Sequence, residues 1–365
     1  MVSPYDLAVP GGVQGQVSGL SSALRAAGHD VVVVAPGPAA QGDELVTVGR
    51  AVGLRANGSV APVALSPAAA WRAGRAVRRG DFDLVHLHEP LAPILNYGCL
   101  IASPRPLVGT FHRNGSSPLY GAMSPLVSLV LSRLSARCAV SEAARRNVAR
   151  FTRGDFEVLF NGIDLGRYRS EPRRLASDPT ILFVGRHERR KGLAVLLDAV
   201  SQMSNPPMLW VAGHGPATAE LSARHPGSAR LEWLGPIGEE EKVERLLAAD
   251  IFCAPSLGGE SFGIVLLEAM AARCSVVASD IDGYREAANG HALLVSPNDP
   301  RSLAVALEQA VADATSGTRR SSVEALDSAR RFVEQWSMSE LARRYVTLYE
   351  RVLGSGTVRS SPLQK

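Results

Sequence analysis

Short apolar runs alternate along the whole chain with segments in which apolar residues recur at every third or fourth position. Apolar runs bounded by glycine, proline or polar residues are typical of buried strands, and the longer periodic segments are typical of amphipathic helices. The predicted strands cover residues 31–35, 83–90, 106–111, 137–140, 179–185, 208–212, 231–235, 250–255, 275–279 and 293–296. This regular alternation predicts α/β domains built on parallel sheets.

The predicted helices fall between these strands. Gly11-Gly12 opens a helix that ends near residue 27, and further helices cover residues 67–79, 261–272, 300–314 and 336–353. We expect residues 280–285 to be a loop, and residues 1–3 are shorter than an ordinary parallel strand, so they are expected to be the end of the first one.

The chain length predicts two domains, because 365 residues exceed what one ordinary hydrophobic core organises. The polar, proline-containing stretch 167–178 is the expected linker. We therefore place an amino-terminal domain at residues 1–166 and a carboxyl-terminal domain at residues 167–335, followed by the helix 336–353. Residues 354–365 are expected to be a disordered tail.

The composition is that of a globular protein, with 46% hydrophobic and 20% charged residues. No apolar run has membrane-spanning length, and the start of the chain lacks a basic region followed by an apolar stretch. We therefore expect a cytoplasmic protein without a signal peptide. The cysteines have no metal or redox spacing and are expected to be buried thiols: Cys99, Cys138, Cys253 and Cys274.

The charge is mildly basic, with a formal net charge of +4 and a pI of about 9.0. The sign alone fits nucleic acid, a membrane surface or no charged partner at all. The identity of the cations is more informative, because only Lys191, Lys242 and Lys365 among the 39 basic residues are lysines. The first two lie in segments with ligand chemistry, which indicates a need for a compact ammonium there.

A glycine-rich turn follows the predicted strand 250–255, and a helix follows the turn. A helix N-terminus carries free N–H groups and the positive end of the helix dipole, so it suits an anionic ligand. Glu260 precedes the helix, and Glu268 lies eight residues further along, about two turns into it. Capping of the helix explains Glu260 equally well from these residues alone.

Four cations crowd the loop Gly185-Arg186-His187-Glu188-Arg189-Arg190-Lys191-Gly192, between a strand and a helix. Such a loop suits a diphosphate, whose charge Arg and Lys neutralise, although a solvated charge run is the simpler alternative. Gly11-Gly12 is a second turn at which backbone N–H groups can approach a phosphate. It lacks the Gly-x-Gly-x-x-Gly pattern, which disfavours a dinucleotide-dependent oxidoreductase.

Histidines follow two predicted strands. His86 and His88 share one face of a strand, but no further metal ligands lie near them, which disfavours a zinc site. His112 stands at the end of the strand 106–111, where α/β sheets place ligands, although a structural role is the alternative.

The second predicted helix is basic. Arg72, Arg75 and Arg79 lie on one face of it, next to Trp71 and Arg78. Two interpretations stay open, a solvated face and an interfacial helix that meets anionic lipid with Trp71 as a wedge.

Residues 258–271, Gly-Gly-Glu-Ser-Phe-Gly-Ile-Val-Leu-Leu-Glu-Ala-Met-Ala, resemble the sugar-nucleotide motif of the retaining glycosyltransferases of family 4. The resemblance implies a GT-B fold, with two Rossmann-like domains, an interdomain cleft and a last helix that crosses back to the first domain. It also implies that Glu260 holds the donor sugar and that Glu268 holds the ribose. The backbone amides that follow Glu260 are implied to help hold the sugar, and they belong to Ser261, Phe262, Gly263 and Ile264.

A second resemblance is to the actinobacterial phosphatidyl-myo-inositol mannosyltransferases. It rests on Pro4-Tyr5, Val9-Pro10-Gly11-Gly12-Val13-Gln14, Asn57-Gly58-Ser59-Val60, His86-Leu87-His88-Glu89-Pro90 and Thr110-Phe111-His112. It implies donor-binding roles for Gly12, Arg186 and Lys191 at the diphosphate, for His112 at the sugar, and for Ile237, Glu239 and Lys242 at guanine. Capping of a helix remains the alternative for Glu239. The implied acceptor-binding residues are Tyr5, Gln14, Asn57, Ser59 and Arg113, and the implied membrane-docking residues are Trp71, Arg72, Arg75, Arg78 and Arg79.

This chain departs from that family at the acceptor side. Ala8 stands where the family has an acid, Pro62 and Ala64 stand where it has two arginines, and Ser117 stands near the place of a lysine. Arg113 is the expected substitute for the missing lysine.

The resemblance therefore implies retaining transfer of mannose from GDP-mannose to phosphatidyl-myo-inositol. The expected catalytic residues are His112, Glu260, Arg186 and Lys191, with no metal ion or other cofactor. The expected partners are a nucleotide sugar, a phosphoinositide lipid and the anionic inner face of the cell membrane, with no nucleic acid. Two alternatives stay open, a family-4 transferase with another lipid or a small polyol as acceptor, and a nucleotide-sugar-binding protein without catalysis. The presence of both Glu260 and His112 speaks against the second alternative.

Overall fold

The computed structural model describes residues 1–9, 11–38, 44–56, 59–92, 94–112, 124–150, 154–169, 179–227, 230–315 and 319–357. The chain divides into two compact units. Unit 1 comprises Met1–Gly162 together with Met338–Lys365, and unit 2 comprises Ile163–Ser337.

Strands and helices alternate through most of the described residues, although four consecutive strands separate the first two helices. The strands are β1 Val33–Ala35, β2 Leu45–Thr47, β3 Val52–Ala56, β4 Ser59–Val63, β5 Val85–His88, β6 Leu107–Phe111, β7 Ala136–Ala139, β8 Glu157–Val158, β9 Thr180–Val184, β10 Met208–Ala212, β11 Leu231–Gly235, β12 Ile251–Ala254, β13 Ser275–Ser279 and β14 Leu293–Val295. The helices are α1 Gly12–Ala26, α2 Pro67–Arg79, α3 Leu95–Ala102, α4 Ser124–Leu131, α5 Glu142–Ala149, α6 Leu193–Gln202, α7 Thr218–Arg224, α8 Glu239–Ala248, α9 Ile264–Ala271, α10 Asp282–Ala288, α11 Pro300–Thr315, α12 Arg319–Val333 and α13 Met338–Thr357.

Unit 1 is built on a parallel sheet. Strands β5, β6, β7 and β8 pair in that order, and β1 pairs with β2. Val2 bridges Val34 of β1 and Leu87 of β5, so the start of the chain takes the place of a strand between them. Strands β1, β5 and β6 are buried along their whole length, as expected for a sheet covered on both faces.

Helix α13 belongs to unit 1 and packs on α1. A Cβ on Gly19 would lie 2.4 Å from Cε of Met338, so glycine lets the two helices approach closely. The Gln16 amide fixes the end of the first segment, because its Nε2 donates to the Gly162 carbonyl and its Oε1 accepts from the Gly162 N–H, both at 2.8 Å.

Unit 2 contains a six-stranded parallel sheet in the order β11-β10-β9-β12-β13-β14. The chain runs outward from β9 to β11 and then returns to the other side of β9 at β12. The order therefore reverses between β9 and β12, and ligands of doubly wound sheets bind at the carboxyl ends of such a strand pair. Ile163 bridges Ser337, so the two ends of unit 2 lie side by side.

Several predicted boundaries are wrong, each for a local reason. Helix α9 begins at Ile264 instead of residue 261, because Gly263 has a left-handed φ of +79° that a helix cannot contain. The predicted loop 280–285 contains the start of α10, which begins at Asp282. The last helix begins at Met338 and runs to Thr357, since the residues before it, Glu334–Trp336, form a 3₁₀ turn.

Other segments were missed or misplaced. Strands β3 and β4, which were not predicted, pair antiparallel, and residues 57 and 58 between them lie outside the described residues. Leu165–Tyr168, which overlaps the first residues of the predicted linker 167–178, is a 3₁₀ helix of unit 2, and residues 170–178 of that linker lie outside the described residues. Helices α3, α4, α7 and α12 were not predicted. Of the predicted disordered tail, residues 354–357 belong to α13, and residues 358–365 lie outside the described residues.

Within the described residues, no helix combines the length and the apolar character that crossing a bilayer requires. The four cysteines are free and buried, as predicted. Burial raises the pKa of Cys99 to about 12 and raises that of the other three as well.

Candidate active site

Two loops of unit 2 meet at the strand pair where the sheet order reverses. One loop, residues 185–192, follows β9, and the other, residues 255–263, follows β12. They touch because Gly192 has no side chain. Its φ is +70°, and a Cβ there would lie only 1.8 Å from the Pro255 carbonyl oxygen. The Leu257 N–H also donates to the Arg190 carbonyl at 2.7 Å, so the basic loop is held against the glycine-rich turn.

The Glu260 carboxylate lies among the cations of the basic loop. Its Oε1 is 2.7 Å from Lys191 Nζ and 3.0 Å from Arg190 Nη1. Ser256 Oγ donates to the same oxygen at 3.3 Å. The Glu260 side chain is only 13% exposed, so its charge depends on these partners.

Glu188 is a second carboxylate of this cluster, and sequence analysis did not single it out. Its Oε2 accepts from Arg190 Nε at 3.0 Å, and its Oε1 lies 2.9 Å from Arg186 Nε. We call Arg186, Glu188, Arg190, Lys191 and Glu260 the Glu260 cluster. The cluster contains both predicted diphosphate ligands, Arg186 and Lys191, and adds Arg190 as a third cation that bridges the two acids. Its formal charges, three positive and two negative, leave it net positive.

The turn before α9 places backbone amides beside Glu260. Gly263 is the residue before the first helical position, and the first N–H groups of a helix have no acceptor within it. Ser261 and Phe262 belong to the turn, and Ile264 starts the helix. Phe262 is buried against Trp336, with ring centroids 4.9 Å apart, so this contact holds the turn in place.

A second ion-pair cluster of unit 2 contains the predicted ribose and guanine ligands. Lys242 Nζ lies 2.9 Å from Glu268 Oε1 and 2.8 Å from Glu239 Oε2, and Arg167 Nη1 lies 3.4 Å from the same Glu239 oxygen. Lys242 and Glu268 are 14% and 13% exposed. Oε2 of Glu268 has no hydrogen-bond partner among the described residues, so this oxygen can accept from a hydroxyl. Ile237 is half-buried one residue before the N-cap Gly238.

Burial dominates the electrostatics of this pair. It raises the pKa of Glu268 above its usual range, against the opposing charge of Lys242. Burial also acts to lower the pKa of Lys242, but the carboxylates of Glu268 and Glu239 outweigh it, and the pKa of Lys242 is raised. The ammonium is therefore firmly charged, and it holds both acids in place.

A buried histidine group lies at the ends of β5 and β6 in unit 1. His88 Nδ1 is 2.9 Å from His112 Nε2, and the rings of His86 and His88 stack with centroids 4.4 Å apart. His112 also hydrogen-bonds the Asn161 side chain. Burial lowers the pKa of His112 to about 4, with Asn161 opposing, and lowers the pKa of His86 and His88 well below the usual value. All three rings are therefore neutral at pH 7 and serve as hydrogen-bonding groups.

Glu89 shapes this corner. It has a φ of +48°, and its carboxylate accepts from the backbone N–H of His112. Asn96 Nδ2 donates to the carbonyls of His88 and Glu89, at 2.9 and 2.7 Å. No group of three or more His, Cys, Asp or Glu side chains within the described ranges is arranged to hold a metal ion.

The other predicted ligands of unit 1 are placed as follows. Gly12 is the first residue of α1, where N–H groups lack helical acceptors. Gln14 is buried, and its side chain lies over Gly11, where a Cβ would be 2.4 Å away. Tyr5 bridges Val63 of β4, and Ser59 begins that strand. Asn57 and Arg113 lie outside the described residues, as does Ser117.

The basic helix α2 has the predicted polarity. Ala69, Ala73, Gly74 and Val77 are buried, whereas Arg72, Arg75, Arg78 and Arg79 are exposed. Trp71 is 63% exposed, and the Arg75 guanidinium lies 5.2 Å from the centre of its ring. Arg72 is partly engaged, because its Nε donates to the Val48 carbonyl at 3.0 Å.

Comparison with known proteins places both halves of the chain. Residues 10–167 match the family described as Glycosyltransferase Family 4, and residues 178–313 match the family described as Glycosyl transferases group 1. The phosphatidyl-myo-inositol mannosyltransferase of Mycobacterium tuberculosis strain H37Rv is 38% identical over 98% of this chain and 97% of its own length. The protein of that name from Mycolicibacterium smegmatis is 37% identical over 98% of this chain and 94% of its own.

Solved structures of glycosyltransferases share the fold. Sucrose-phosphate synthase from Thermosynechococcus elongatus superposes with a TM-score of 0.78 at 20% identity, covering 97% of this chain and 98% of its own. A glycosyltransferase from Rickettsia africae gives a TM-score of 0.75 at 18% identity, covering 96% and 97%. Anabaena HepE, solved in complex with UDP and glucose, gives 0.72 at 16% identity, covering 96% and 98%. These likenesses confirm the predicted GT-B fold. The chain therefore belongs to glycosyltransferase family 4 and, within it, to the family of the phosphatidyl-myo-inositol mannosyltransferases.

Proposed function

We propose that this glycosyltransferase transfers mannose, with retention of configuration, from GDP-mannose to phosphatidyl-myo-inositol at a membrane surface. The observation that carries the donor side is the Glu260 cluster, in which three cations and two carboxylates lie together before the N-terminus of α9. The acceptor comes from the mycobacterial relatives, which are named for it.

The Glu260 cluster suits a nucleoside diphosphate sugar. Arg186, Arg190 and Lys191 provide the positive charge that neutralises a departing diphosphate, and the Gly12 N–H adds a neutral donor. Glu260 accepts hydroxyl hydrogens of the sugar while its anomeric carbon becomes oxocarbenium-like. His112, neutral at pH 7, adds a polar contact to the sugar. We propose that these cations do the work for which other transferases use a metal ion, so activity should persist in a chelator.

The second cluster suits the nucleoside. Glu268 presents an oxygen without a partner among the described residues, and a ribose hydroxyl can donate to it. The Glu239 carboxylate can accept from the N–H groups of guanine, whereas the matching edge of uracil offers fewer donors. Lys242 holds both acids, so ribose and base recognition are coupled through one ammonium.

A family-4 transferase with another lipid or a small polyol as acceptor is the second candidate. A specific observation favours it. Ala64 is buried and Pro62 belongs to β4, so neither position supplies a guanidinium for the phosphate of phosphatidyl-myo-inositol. Asp6 is the acid nearest to Ala8 in the sequence, but its Oδ1 already accepts from the Ala8 N–H at 3.0 Å. We therefore do not expect Asp6 to replace the missing acid.

The deciding experiment is mannose transfer from GDP-mannose to phosphatidylinositol in mixed vesicles, with UDP-glucose as control donor and with a chelator present. We expect a lipid-linked product with GDP-mannose alone. Donor hydrolysis without a lipid product would refute the acceptor and favour the second candidate. Donor binding without transfer or hydrolysis would favour a binding protein instead.

The membrane part of the proposal rests on α2. Each Lys or Arg near an anionic surface contributes about 1 kcal/mol, so Arg75→Ser, Arg78→Ser and Arg79→Ser together should weaken vesicle binding about a hundredfold. Sedimentation with phosphatidylcholine vesicles, with and without phosphatidylinositol, measures this. A control variant with the same loss of charge replaces exposed arginines elsewhere by serine: Arg224, Arg285 and Arg343. Equal loss of binding in both variants would show net charge rather than a docking helix.

A further inference from the structure

Two buried hydroxyl groups lie behind Glu260. Ser256 Oγ is 3.3 Å from Glu260 Oε1 and 2.8 Å from the Tyr284 hydroxyl oxygen. Ser256 and Tyr284 are each only 1% exposed. Ser256 follows β12 by two residues, and Tyr284 lies in the first turn of α10. The chain of contacts therefore runs from the core of unit 2 to the carboxylate at the helix mouth.

The chemistry of the three groups determines the direction of the hydrogen bonds. An ionised carboxylate can only accept, so the Ser256 hydroxyl donates to Glu260. The Ser256 oxygen then accepts from the Tyr284 O–H. Burial, and after it the charge of Glu260, raises the pKa of Tyr284, so its proton stays in place at every physiological pH. The order Tyr284 to Ser256 to Glu260 is therefore the one that satisfies all three groups.

Packing keeps Tyr284 where this chain needs it. Gly263, with its φ of +79°, lies against the tyrosine ring, and a Cβ there would be 2.6 Å from a ring carbon. On the other side, a Cβ on Gly283 would be 2.5 Å from the Glu260 carbonyl oxygen. The turn 260–263 and the start of α10 are thus in direct contact.

The hydroxyl chain differs in one respect from the other contacts of Glu260. Lys191 and Arg190 also reach Oε1, but both are cations that a diphosphate attracts. A bound diphosphate would compete with Glu260 for these two cations, whereas Ser256 is neutral and would not be drawn to it. Ser256 is then a contact that can keep the carboxylate in its place for the sugar.

We propose that Ser256 and Tyr284 are positioning residues, which hold Glu260 in the orientation that binds the transferred sugar. The inference rests on the proposed donor-side function of Glu260. Neither hydroxyl needs to touch the substrate, because both act through the carboxylate.

The test compares Tyr284→Phe, Ser256→Ala and the double variant with wild type in the full chain. Each change should lower kcat for GDP-mannose about tenfold, because a hydrogen bond to a charged group is lost or weakened. The dissociation constant for GDP, which lacks the sugar, should change less than about twofold. Since the two hydroxyls act in series, Tyr284→Phe should have almost no further effect in the Ser256→Ala background.

Ser21→Ala is the matched control, because it also removes a buried serine hydroxyl, one that donates to the Ser18 carbonyl at 2.9 Å and has no contact with the proposed site. It should leave kcat unchanged. The proposal would be overturned if the effects of the two single changes on kcat multiplied in the double variant, or if neither single change altered kcat. It would also be overturned if the affinity for GDP fell as much as kcat.

The outcome is separable from that of the proposed function. If wild type transfers no mannose to phosphatidylinositol, the acceptor proposal fails. The positioning role of Ser256 and Tyr284 is then tested on the hydrolysis of whichever donor wild type cleaves, GDP-mannose or UDP-glucose. A wild type that cleaves neither donor overturns both.

Discussion

Replacing Glu260 by glutamine should separate the binding of the nucleotide from the transfer of the sugar. Glutamine keeps the size of the side chain and removes the charge that Lys191 and Arg190 share, at 2.7 and 3.0 Å. In the wild type these cations must exchange a carboxylate for the diphosphate. In the variant they have no strong internal partner at that position and are available to the nucleotide.

The size of the effect follows from the charges. If the Glu260 carboxylate and a bound phosphate are treated as two unit charges about 6 Å apart, they repel each other by about 3 kcal/mol at an effective dielectric constant of about 20, the value suited to sites near the surface. Water and salt reduce this interaction at a site whose arginines, Arg190 and Arg186, are 36% and 44% exposed, so we expect about 1–2 kcal/mol, or roughly a 5- to 30-fold lower Kd for GDP. GDP-mannose should gain less, because its sugar loses the carboxylate. Transfer should fall by about a hundredfold or more, since the lost contact acts in the transition state.

Isothermal titration calorimetry with GDP and with GDP-mannose, at low and high salt, measures the two affinities. Glu220→Gln is the matched control, since it removes an exposed acid of the same unit, one that pairs with Arg224 at 3.7 Å. The gain in GDP affinity should shrink at high salt and be absent in the control. Unchanged or weaker GDP binding by Glu260→Gln would refute the idea that the carboxylate and the diphosphate compete for the same cations.

Two further predictions concern stability. Lys242→Met should destabilise unit 2 by about 2–4 kcal/mol, because it leaves Glu268 buried without its ammonium partner, and adding Glu268→Gln should restore most of the loss in a thermal unfolding assay. An unrescued double variant would argue against this origin. His112 should make unfolding pH-dependent, since burial lowers its pKa to about 4 while the unfolded residue titrates near the ordinary value. Its contribution, about 3 kcal/mol, is fully present above about pH 6.5 and lost as the pH falls toward about 4. The slope of stability against pH in that range should flatten in His112→Gln, and an unchanged slope would contradict the assignment.

Among the described residues, the sequence pattern predicts ten of the strands, misses β2, β3, β4 and β8, and predicts the turns less well. Apolar runs such as 208–212 and 275–279 coincide with β10 and β13 because burial on both faces leaves little choice of residue. The start of α9 was misplaced because Ser261 and Phe262 continue the helical spacing, and only the backbone of Gly263 shows that the helix has not yet begun. The start of α10 was missed because Asp282 follows a polar stretch that reads equally well as a loop.

The site was predicted in its members more than in its contacts. Glu260, Lys191, Glu268 and Lys242 were each identified, but no spacing rule pairs residues that lie on different loops. Arg190 was missed as a ligand of Glu260 since it is one of several arginines in a row, and only the fold shows which of them turns inward.

The positions of Lys191 and Lys242 show where this chain uses lysine instead of arginine. Arginine forms its exposed ion pairs, for example Arg145 with Glu142, where a planar group has room. Lys191 and Lys242 are instead largely buried, 20% and 14% exposed, and each contacts one carboxylate of the segment 258–271. A single ammonium can turn its three hydrogens toward Glu239 and Glu268 at once, or toward Glu260 and then a phosphate, without the space that a guanidinium fork needs. In a chain biased so strongly toward arginine, a retained lysine therefore marks a position where the size and free rotation of the cation matter.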